Sequence, residues 1–451
     1  MKKIAFVYRS VTEEGDYSTR NSVEVMPPLW ALALWTYLRA ARPGLKVELV
    51  DEQLLGRKAF LAKLSKYRCA VAGLSPTAHT YQDNLAAARL LKKNGATVVL
   101  GGHYATPAAR EILAARGPGS ADHCVDYVVR YEGEKAFAAL AAGGSPEKIN
   151  NLVYVGAGGK IVENPVETMD LAALPETDYE LADLKEYFKR QTPPAHTHLT
   201  LPYVAQRGCR LSQGSARCMF CSIQSSGPCR SLPPERAARA LAGFVKKFGV
   251  GYVYEGSDDW IADMRWVQEF AAAAKGLKLP VLQLFVLPSR LNQRNLALLR
   301  SINVRYLSLG TESLAGGTLR ALSKGATPEV NLRAINVTRE AGLVPNINLI
   351  LGLPGESRGT LSETFAAVKR LDLPADAWRR FSCPRLALFP GTEVHRRLLA
   401  REPKYRGLDF INADSSFRDW TKHFCSVTLE EVMAAQAAML KYASTRLGAR
   451  A

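Results

Sequence analysis

The chain has 451 residues, of which 47% are apolar and 22% charged, which is typical of a globular protein of two or three domains and excludes a low-complexity chain. Its eight cysteines are too few for a disulfide scaffold, so they predict reduced thiols in a reducing compartment. The formal charge of +17 comes from scattered basic residues, which favours a basic surface and phosphate-bearing ligands and argues against nucleic acid binding.

The first residues, MKKIAFVYRS, predict a buried strand, because the apolar run breaks at Arg9, too early for a secretory signal. The most apolar short run, LWALALW at 29–35, is far below the roughly 18 residues that a membrane-spanning helix needs. The sequence therefore predicts a cytoplasmic protein without a membrane span.

Residues 1–140 alternate between short β-rich runs and longer amphipathic stretches. The strand-like runs are apolar throughout, which favours a parallel sheet covered by helices on both faces. This pattern predicts an α/β, doubly wound, Rossmann-like domain. Ligands of such domains bind beyond the carboxyl ends of the strands, so three loops are candidates for a large flat ligand. These loops are SPTAHTY (75–81), GGHYAT (101–106) and RYEGE (130–134).

Residues 141–194 are rich in Pro, Gly and polar residues and predict a linker. After it, strand-like runs each followed by a helical stretch recur six times over 195–400, which predicts a partial (β/α)6 TIM-type barrel. The active sites of such barrels gather at the carboxyl ends of the strands. Residues 401–451 predict a small helical region, with Thr428 and Glu431 at capping-box spacing.

Three cysteines stand close together in RGCRLSQGSARCMFCSIQ, residues 207–224. Cys209, Cys218 and Cys221 match the three thiolates that hold three irons of a cubane cluster and leave the fourth iron open. Two alternatives remain on spacing alone: a zinc site completed by Cys229, or three core cysteines.

The chain resembles the family of cobalamin-binding radical S-adenosylmethionine (SAM) enzymes. The N-terminal third matches in PPLWALALWTYL, AGLSPTAHT, TVVLGGHYAT and DYVVRYEGEKAF, and the barrel matches in RGC, CMFC, YEGSDD, LGTES, ALSKGAT and LILGLPGES. The resemblance implies a 4Fe-4S cluster on Cys209, Cys218 and Cys221, together with SAM and cobalamin. The family's common motif is CxxxCxxC, whereas here eight residues separate the first two cysteines, as in a subset of members that modify peptides.

The resemblance also implies which residues contact the two organic cofactors. The expected SAM contacts are Phe220, Glu255, Asp258, Asp259, Glu312 and Gly352. The expected cobalamin contacts are Ser75, Thr77, His79, Gly101, Gly102, His103, Glu132 and Gly133. The DxHxxG motif that supplies a histidine to cobalt in other cobalamin proteins is absent, so no protein ligand on cobalt is expected, with His79 kept as a contact on the lower side of the corrin.

The implied activity is methylation of an unactivated carbon through a 5′-deoxyadenosyl radical and methylcobalamin. The alternative is a radical cyclase, rearrangement or dehydrogenation without methyl transfer. A methylthiotransferase needs three further N-terminal cysteines, and only Cys69 and Cys124 are there; a non-catalytic sensor would bind the cofactors and leave SAM intact. The expected partners are a small-molecule or peptide substrate and an electron donor such as flavodoxin or ferredoxin.

Overall fold

Two parallel-rich sheets, one in each half of the chain, organise the fold. The computed structural model describes residues 2–9, 25–191, 199–212, 217–222, 228–322, 325–406 and 414–447. The first sheet has seven strands in the order β2-β1-β3-β4-β5-β6-β7. These strands are β1 Lys3–Tyr8, β2 Lys46–Asp51, β3 Val71–Leu74, β4 Thr97–Leu100, β5 Tyr127–Val129, β6 Leu152–Val155 and β7 Ile161–Glu163.

Helices cover both faces of this sheet, which confirms the predicted doubly wound architecture. Along β1, Ile4 and Phe6 face one core and Ala5 and Val7 face the other, and all four are fully buried. A strand that buries both faces cannot alternate in polarity, which is why the strand-like runs are apolar throughout. The helices are α1 Leu29–Ala41, α2 Glu52–Leu55, α3 Arg57–Leu64, α4 Tyr81–Lys93, α5 Gly102–Ala105, α6 Ala109–Arg116 and α7 Glu134–Ala141.

The first sheet continues beyond the predicted boundary at residue 140. Strands β6 and β7 lie within 141–194, the predicted linker, and pair antiparallel to β5 and to each other. They are short, and the turn between them contains Gly158 and Gly159 at φ 70° and 76°. Strands of three and four residues around a glycine turn are too short to show a clear alternation of apolar and polar residues. The sequence of this segment therefore looks irregular, which is why it predicts a linker.

One part of the sheet's carboxyl edge is covered by the chain itself. Helix α8 (Leu184–Arg190) places the buried Tyr187 against Asp51, the last residue of β2, and the phenol donates a hydrogen bond to that carboxylate. Burial raises the pKa of Asp51 to about 6. Beside it, the buried Arg9 pairs with Glu52. The ends of β1 and β2 are therefore filled, and ligands have access at the ends of β3, β4 and β5.

The second sheet has five parallel strands in the order β14-β13-β12-β11-β8. The sixth position of the predicted barrel is occupied by an extended segment that forms only isolated parallel bridges, from Asn348 to Ser382 and from Leu351 to Arg385. The strands of this half are β8 Thr200–Tyr203, β9 Gln206–Arg207, β10 Arg230–Ser231, β11 Tyr252–Glu255, β12 Val281–Val286, β13 Val304–Glu312 and β14 Val344–Leu349; β9 and β10 form a separate antiparallel pair.

Helices alternate with the barrel strands, and two more follow as the predicted helical C-terminal region. None of the helices within the described ranges has the length and apolarity needed to cross a membrane. The helices are α9 Pro234–Phe248, α10 Met264–Ala273, α11 Gln293–Ser301, α12 Gly316–Ala321, α13 Pro328–Glu340, α14 Arg358–Lys369, α15 Ala375–Arg379, α16 Glu393–Arg401, α17 Asp414–Phe424 and α18 Leu429–Thr445.

Helix α17 packs on the loop after β14. The indole of Trp420 donates to the carbonyl of Gly352 at 2.8 Å, and the ring of Phe417 lies against the same glycine. Both aromatic residues are buried. They therefore attach the C-terminal region to the barrel.

We expect Gly352→Ala to destabilise the protein more than Gly355→Ala. Both glycines have a positive φ, 79° and 78°, so each substitution carries the left-handed penalty of roughly 1–2 kcal/mol. A Cβ on Gly352 would lie 2.4 Å from the Phe417 ring, whereas the nearest atom to a Cβ on Gly355 is 3.8 Å away. Overpacking adds about 1–3 kcal/mol at Gly352 alone.

Thermal unfolding midpoints of the two variants measure this difference. Replacement of Phe417 by Leu in the Gly352→Ala background removes the clashing ring edge and recovers part of the lost midpoint. Equal midpoints for the two alanine variants would show that α17 does not pack on Gly352 as described.

Candidate active site

The three clustered cysteines lie on one loop whose base is the β9–β10 pair. Arg207 and Arg230 are cross-strand partners in this pair, so residues 208–229 form the loop between them. Within it, the amide of Cys221 donates to the carbonyl of Cys218 at 3.1 Å, which closes the CMFC turn. All eight cysteines fall within the described ranges, and none of them is in a disulfide.

The donor set has the chemistry of an iron-sulfur site. Three thiols on one loop are the ligands that cubane irons take, each thiolate on a different iron. In the described part of the chain, no three His, Cys, Asp or Glu side chains gather closely enough to hold one metal ion. Burial raises the pKa of the Cys209 thiol to about 11, and the carboxylates of Asp259 and Asp258 add to that rise.

Cys229 also lies close to these carboxylates. Burial is the largest cause that raises the pKa of the Cys229 thiol, and the negative charges of Asp259 and Asp258 raise it further. The structure thus keeps Cys229 near Cys209, and both remain candidates for the first ligand on position alone. Of the other cysteines, Cys383 is buried and burial raises the pKa of its thiol to about 12, as expected of a core residue.

The carboxylates after β11 have different surroundings. Glu255 is buried, and its two oxygens accept hydrogen bonds from the backbone amides of Ala205 (2.7 Å) and Ser257 (3.0 Å) and from the Ser257 hydroxyl (2.6 Å). Burial raises the pKa of Glu255 to about 7. Glu255 therefore ties the ends of β8 and β11 together.

The two aspartates that follow are close to the cysteine loop. Asp258 accepts a hydrogen bond from the amide of Gly208, and burial raises its pKa to about 6. Asp259 is buried and pairs with Arg290 at 3.0 Å. Of the expected SAM contacts, Asp258 alone lines the cavity described below.

The remaining expected SAM contacts lie elsewhere on the barrel. Phe220 packs against the core within the CMFC turn. Glu312 ends β13 at φ 57°, a left-handed backbone that is uncommon and strained for a residue with a side chain. The carbonyl of Gly352 is occupied by Trp420, so this backbone is covered by α17.

A cavity of 390 Å³ lies between the two halves of the chain. Its walls come from the carboxyl ends of β3, β4 and β5 on one side, and from residues 204, 206–208, 230, 256 and 258 on the other. The volume is within the range of small-molecule sites, and the cavity is partly open to solvent. Six of the eight expected cobalamin contacts line it: Ser75, Gly101, Gly102, His103, Glu132 and Gly133.

At Gly101 and Gly102 the cavity wall is formed by backbone. A flat ligand can approach such a wall closely, because no side chain stands in the way. Gly102 has φ 87°, and a Cβ there would lie 2.3 Å from the Ser75 hydroxyl. Any other residue at this position would push into the wall. This cradle fits the expected cobalamin site.

The two expected histidine contacts differ. His103 lines the cavity and is exposed to it, while surrounding protein lowers the pKa of its imidazole through desolvation. His79 does not line the cavity, and burial lowers its pKa to about 4. Thr77, also outside the lining, exchanges hydrogen bonds with Thr80 at the start of α4.

Several cavity residues were not expected from the sequence. Trp30 and Leu34, one turn apart on α1, form an apolar wall; their spacing is a signal that the sequence contains. Tyr131 lines the cavity at φ 60°, a strained backbone that no sequence pattern indicates. Arg207 and Arg230 also line it, and they pair with Glu132 at 3.3 and 2.8 Å.

Comparison with known proteins identifies both halves. Residues 18–141 match the B12 binding domain, and residues 203–368 match the Radical SAM superfamily. The anaerobic magnesium-protoporphyrin IX monomethyl ester cyclase of Rubrivivax gelatinosus is 24% identical over 376 residues, 79% of this chain and 64% of that protein. An uncharacterized methyltransferase of Pyrococcus horikoshii is 24% identical over 323 residues, 69% of this chain and 66% of that protein. The chain thus spans about two thirds of the length of these relatives.

Two solved structures share the fold. The cobalamin-dependent SAM radical enzyme OxsB with aqua-cobalamin bound superposes with a TM-score of 0.66 at 17% identity, covering 99% of this chain and 62% of that one. The radical SAM methyltransferase TsrM from Kitasatospora setae, with cobalamin and a 4Fe-4S cluster bound, has a TM-score of 0.67 at 16% identity, covering 88% and 78%.

The two matched domains occur in the order that the sequence motifs predict, and they imply a 4Fe-4S cluster, SAM and cobalamin as cofactors. With a B12 binding domain followed by a radical SAM domain, the chain belongs to the family of cobalamin-binding radical SAM enzymes.

Proposed function

We propose that this radical SAM enzyme transfers a methyl group to an unactivated carbon of a small-molecule or peptide substrate. The observation that carries the proposal is the single cavity shared by the ligand edges of both sheets. A methyl group and a substrate radical must meet at one carbon, so both cofactors have to reach the same space. A cavity bounded by Gly101 on one side and Gly208 on the other supports that arrangement.

When bound, the cluster and SAM supply a carbon-centred radical and cobalamin supplies the methyl group, so the protein's task is binding and orientation. In this proposal Cys209, Cys218 and Cys221 hold the cluster. Asp258 is the best-placed carboxylate for the methionyl ammonium, because it lines the cavity beside Gly208. Glu255 acts indirectly, since its oxygens are occupied by Ala205 and Ser257.

A radical cyclase without methyl transfer is the second candidate. Two of the curated relatives are anaerobic magnesium-protoporphyrin IX monomethyl ester cyclases, at 24% and 25% identity. The same cavity suits such a reaction, because a large flat substrate would also require access between the two sheets. In both cases a reduced flavodoxin or ferredoxin is the proposed electron donor.

We expect Cys209→Ala, Cys218→Ala and Cys221→Ala each to abolish assembly of a four-iron cluster, because each thiolate holds one iron. Iron and sulfide counts and visible absorbance after anaerobic reconstitution measure the loss. Cys229→Ala is the matched control, since Cys229 lies near the same aspartates and should be dispensable. Cluster loss in Cys229→Ala with retention in Cys209→Ala would instead make Cys229 the first ligand.

Turnover with the true substrate should consume two molecules of SAM for each methyl group transferred, giving one 5′-deoxyadenosine and one S-adenosylhomocysteine. Mass spectrometry of the product should show the gain of one methylene. Cobalamin-free protein should still produce 5′-deoxyadenosine and no methylated product. Altered product without S-adenosylhomocysteine would favour the cyclase over the methyltransferase.

The cob(II)alamin form should show no nitrogen superhyperfine splitting in its paramagnetic resonance spectrum. The sequence lacks the cobalt-ligating histidine motif, and His79 does not line the cavity. His103 is the histidine of the cavity lining, so His103→Ala and His79→Ala form a matched pair. Splitting that disappears in either variant would identify that histidine as a cobalt ligand.

A further inference from the structure

Two arginines face each other at the base of the cysteine loop. Arg207 and Arg230 are cross-strand partners in the β9–β10 pair, directly before Gly208 and directly after Cys229. Like charges at opposed positions of an antiparallel pair destabilise it. The loop can keep this base only if negative charges from elsewhere in the fold neutralise the two guanidinium groups.

The negative charges come from the other half of the chain. Arg207 donates through Nη1 to Glu132 Oε1 (3.3 Å) and through Nη2 to Glu134 Oε1 (2.6 Å). Arg230 donates to both oxygens of Glu132, at 2.8 and 3.1 Å. We call Glu132, Glu134, Arg207 and Arg230 the interdomain ion-pair cluster. It attaches the base of the cysteine loop to the loop after β5.

Two further hydrogen bonds hold Glu132 in place. Glu132 also accepts the backbone amide of Met169 at 2.6 Å, and Asn151 donates to the Glu132 carbonyl at 3.0 Å. Both glutamates are less than 10% exposed. Because desolvation offsets much of the attraction in a buried ion pair, such a cluster contributes more to geometry than to stability. The orientation of the cysteine loop is therefore the property that it sets.

All four side chains of the cluster line the 390 Å³ cavity. One oxygen of Glu134, Oε1, binds Arg207, whereas Oε2 is buried and has no hydrogen-bond partner within the described part of the chain. A buried carboxylate oxygen without a hydrogen-bond donor is energetically unfavourable. A ligand that brings an N–H group into the cavity would satisfy it.

We propose that the interdomain ion-pair cluster couples ligand binding in the cavity to the position of the cysteine loop, with Glu134 Oε2 accepting a hydrogen bond from an N–H group of the ligand. The inference rests on the proposed function for the identity of the two cofactors. Its ligand chemistry is an N–H donor, which the carboxamides of cobalamin and the ammonium of SAM both carry. A ligand on Oε2 changes the field at Arg207, two residues from Cys209.

Coupling between two sites is reciprocal, so assembly of the iron-sulfur cluster must change the affinity for cobalamin by the same factor by which cobalamin changes the affinity for the iron-sulfur cluster. Couplings in proteins typically correspond to about 5- to 150-fold changes in affinity. The ratio of two dissociation constants, with and without the iron-sulfur cluster, measures the coupling without any turnover. A substitution that only loosens the fold would weaken both constants and leave the ratio unchanged.

The experiment measures the dissociation constant of hydroxocobalamin by anaerobic ultrafiltration, for the 451-residue protein before and after cluster reconstitution. We expect the wild-type ratio to be at least about 5-fold. Glu134→Gln and Arg207→Lys should reduce the ratio to below about 2-fold while iron content stays at the wild-type level, because Gln removes the charge and Lys cannot bridge two carboxylates with a fixed fork.

Glu163→Gln is the matched control. Glu163 also pairs with two arginines, Arg110 at 2.9 Å and Arg130 at 2.6 Å, but all three lie in the N-terminal half and none lines the cavity. The ratio should keep its wild-type value in this variant. The proposal would be overturned if Glu163→Gln reduced the ratio of the two dissociation constants, or if Glu134→Gln left that ratio at its wild-type value.

The source of the N–H group is settled by repeating the titration with SAM. Weakening of cobalamin binding alone by Glu134→Gln assigns Oε2 to a cobalamin carboxamide, and weakening of SAM binding alone assigns it to the ammonium; no change in either affinity contradicts the role of Oε2. If wild-type protein binds cobalamin equally well with and without the iron-sulfur cluster, the coupling is contradicted but the proposed function is not. Wild-type protein that binds neither iron nor cobalamin contradicts the proposed function, and the coupling with it.

Discussion

The structure depends on the contact between the carboxyl edges of two parallel sheets. Each edge alone is an ordinary ligand site of an α/β fold, with loops and helix N-termini beyond the strands. The pairing of Glu132 and Glu134 with Arg207 and Arg230 places these edges against each other, and the cavity is what remains between them. Because the same arginines form the base of the cysteine loop, one set of charges joins the two edges and anchors that loop.

Acidic residues near the site divide into those that hold the scaffold and those that face the cavity. Both oxygens of Glu255 accept hydrogen bonds from backbone and hydroxyl donors, and Asp259 pairs with Arg290. Asp258 instead lines the cavity and accepts the Gly208 amide. Two of the three carboxylates in the YEGSDD segment therefore hold the scaffold together, and the third, Asp258, faces the cavity.

Most of the fold, and part of the site, follow from local sequence signals. Apolar strand runs and glycine loops locate the sheet edges because they reflect the immediate surroundings of those residues. The sequence predicts Glu132 as a cofactor contact, which stays a prediction, but it gives no sign of the ion pairs of Glu132 with Arg207 and Arg230, which lie 75 and 98 residues away in the chain. Ion pairs over such separations, and the positive φ of Tyr131, arise from tertiary structure and leave no periodic pattern.

The barrel interior is filled at one end and accessible at the end that faces this contact. At the lower end, the guanidinium of Arg380 stacks 4.1 Å from the Tyr306 ring and donates to Gln283 Oε1 at 3.0 Å, which fills the interior. Higher up, Phe285 and Gly310 are only partly buried, whereas the neighbours that alternate with them, among them Leu284 and Leu309, are fully buried.

Alternate residues of a strand point to opposite faces, so the partly buried residues on β12 and β13 face an accessible barrel interior, and their buried neighbours pack under the helices. With the lower end filled by Arg380, this interior is reached from the carboxyl ends of the strands, where Asp258 and the cysteine loop stand. The N-terminal sheet lies over the same end. A substrate that enters the barrel from this end therefore passes through the cavity between the two sheets, which is the geometric condition that the proposed two-cofactor chemistry requires.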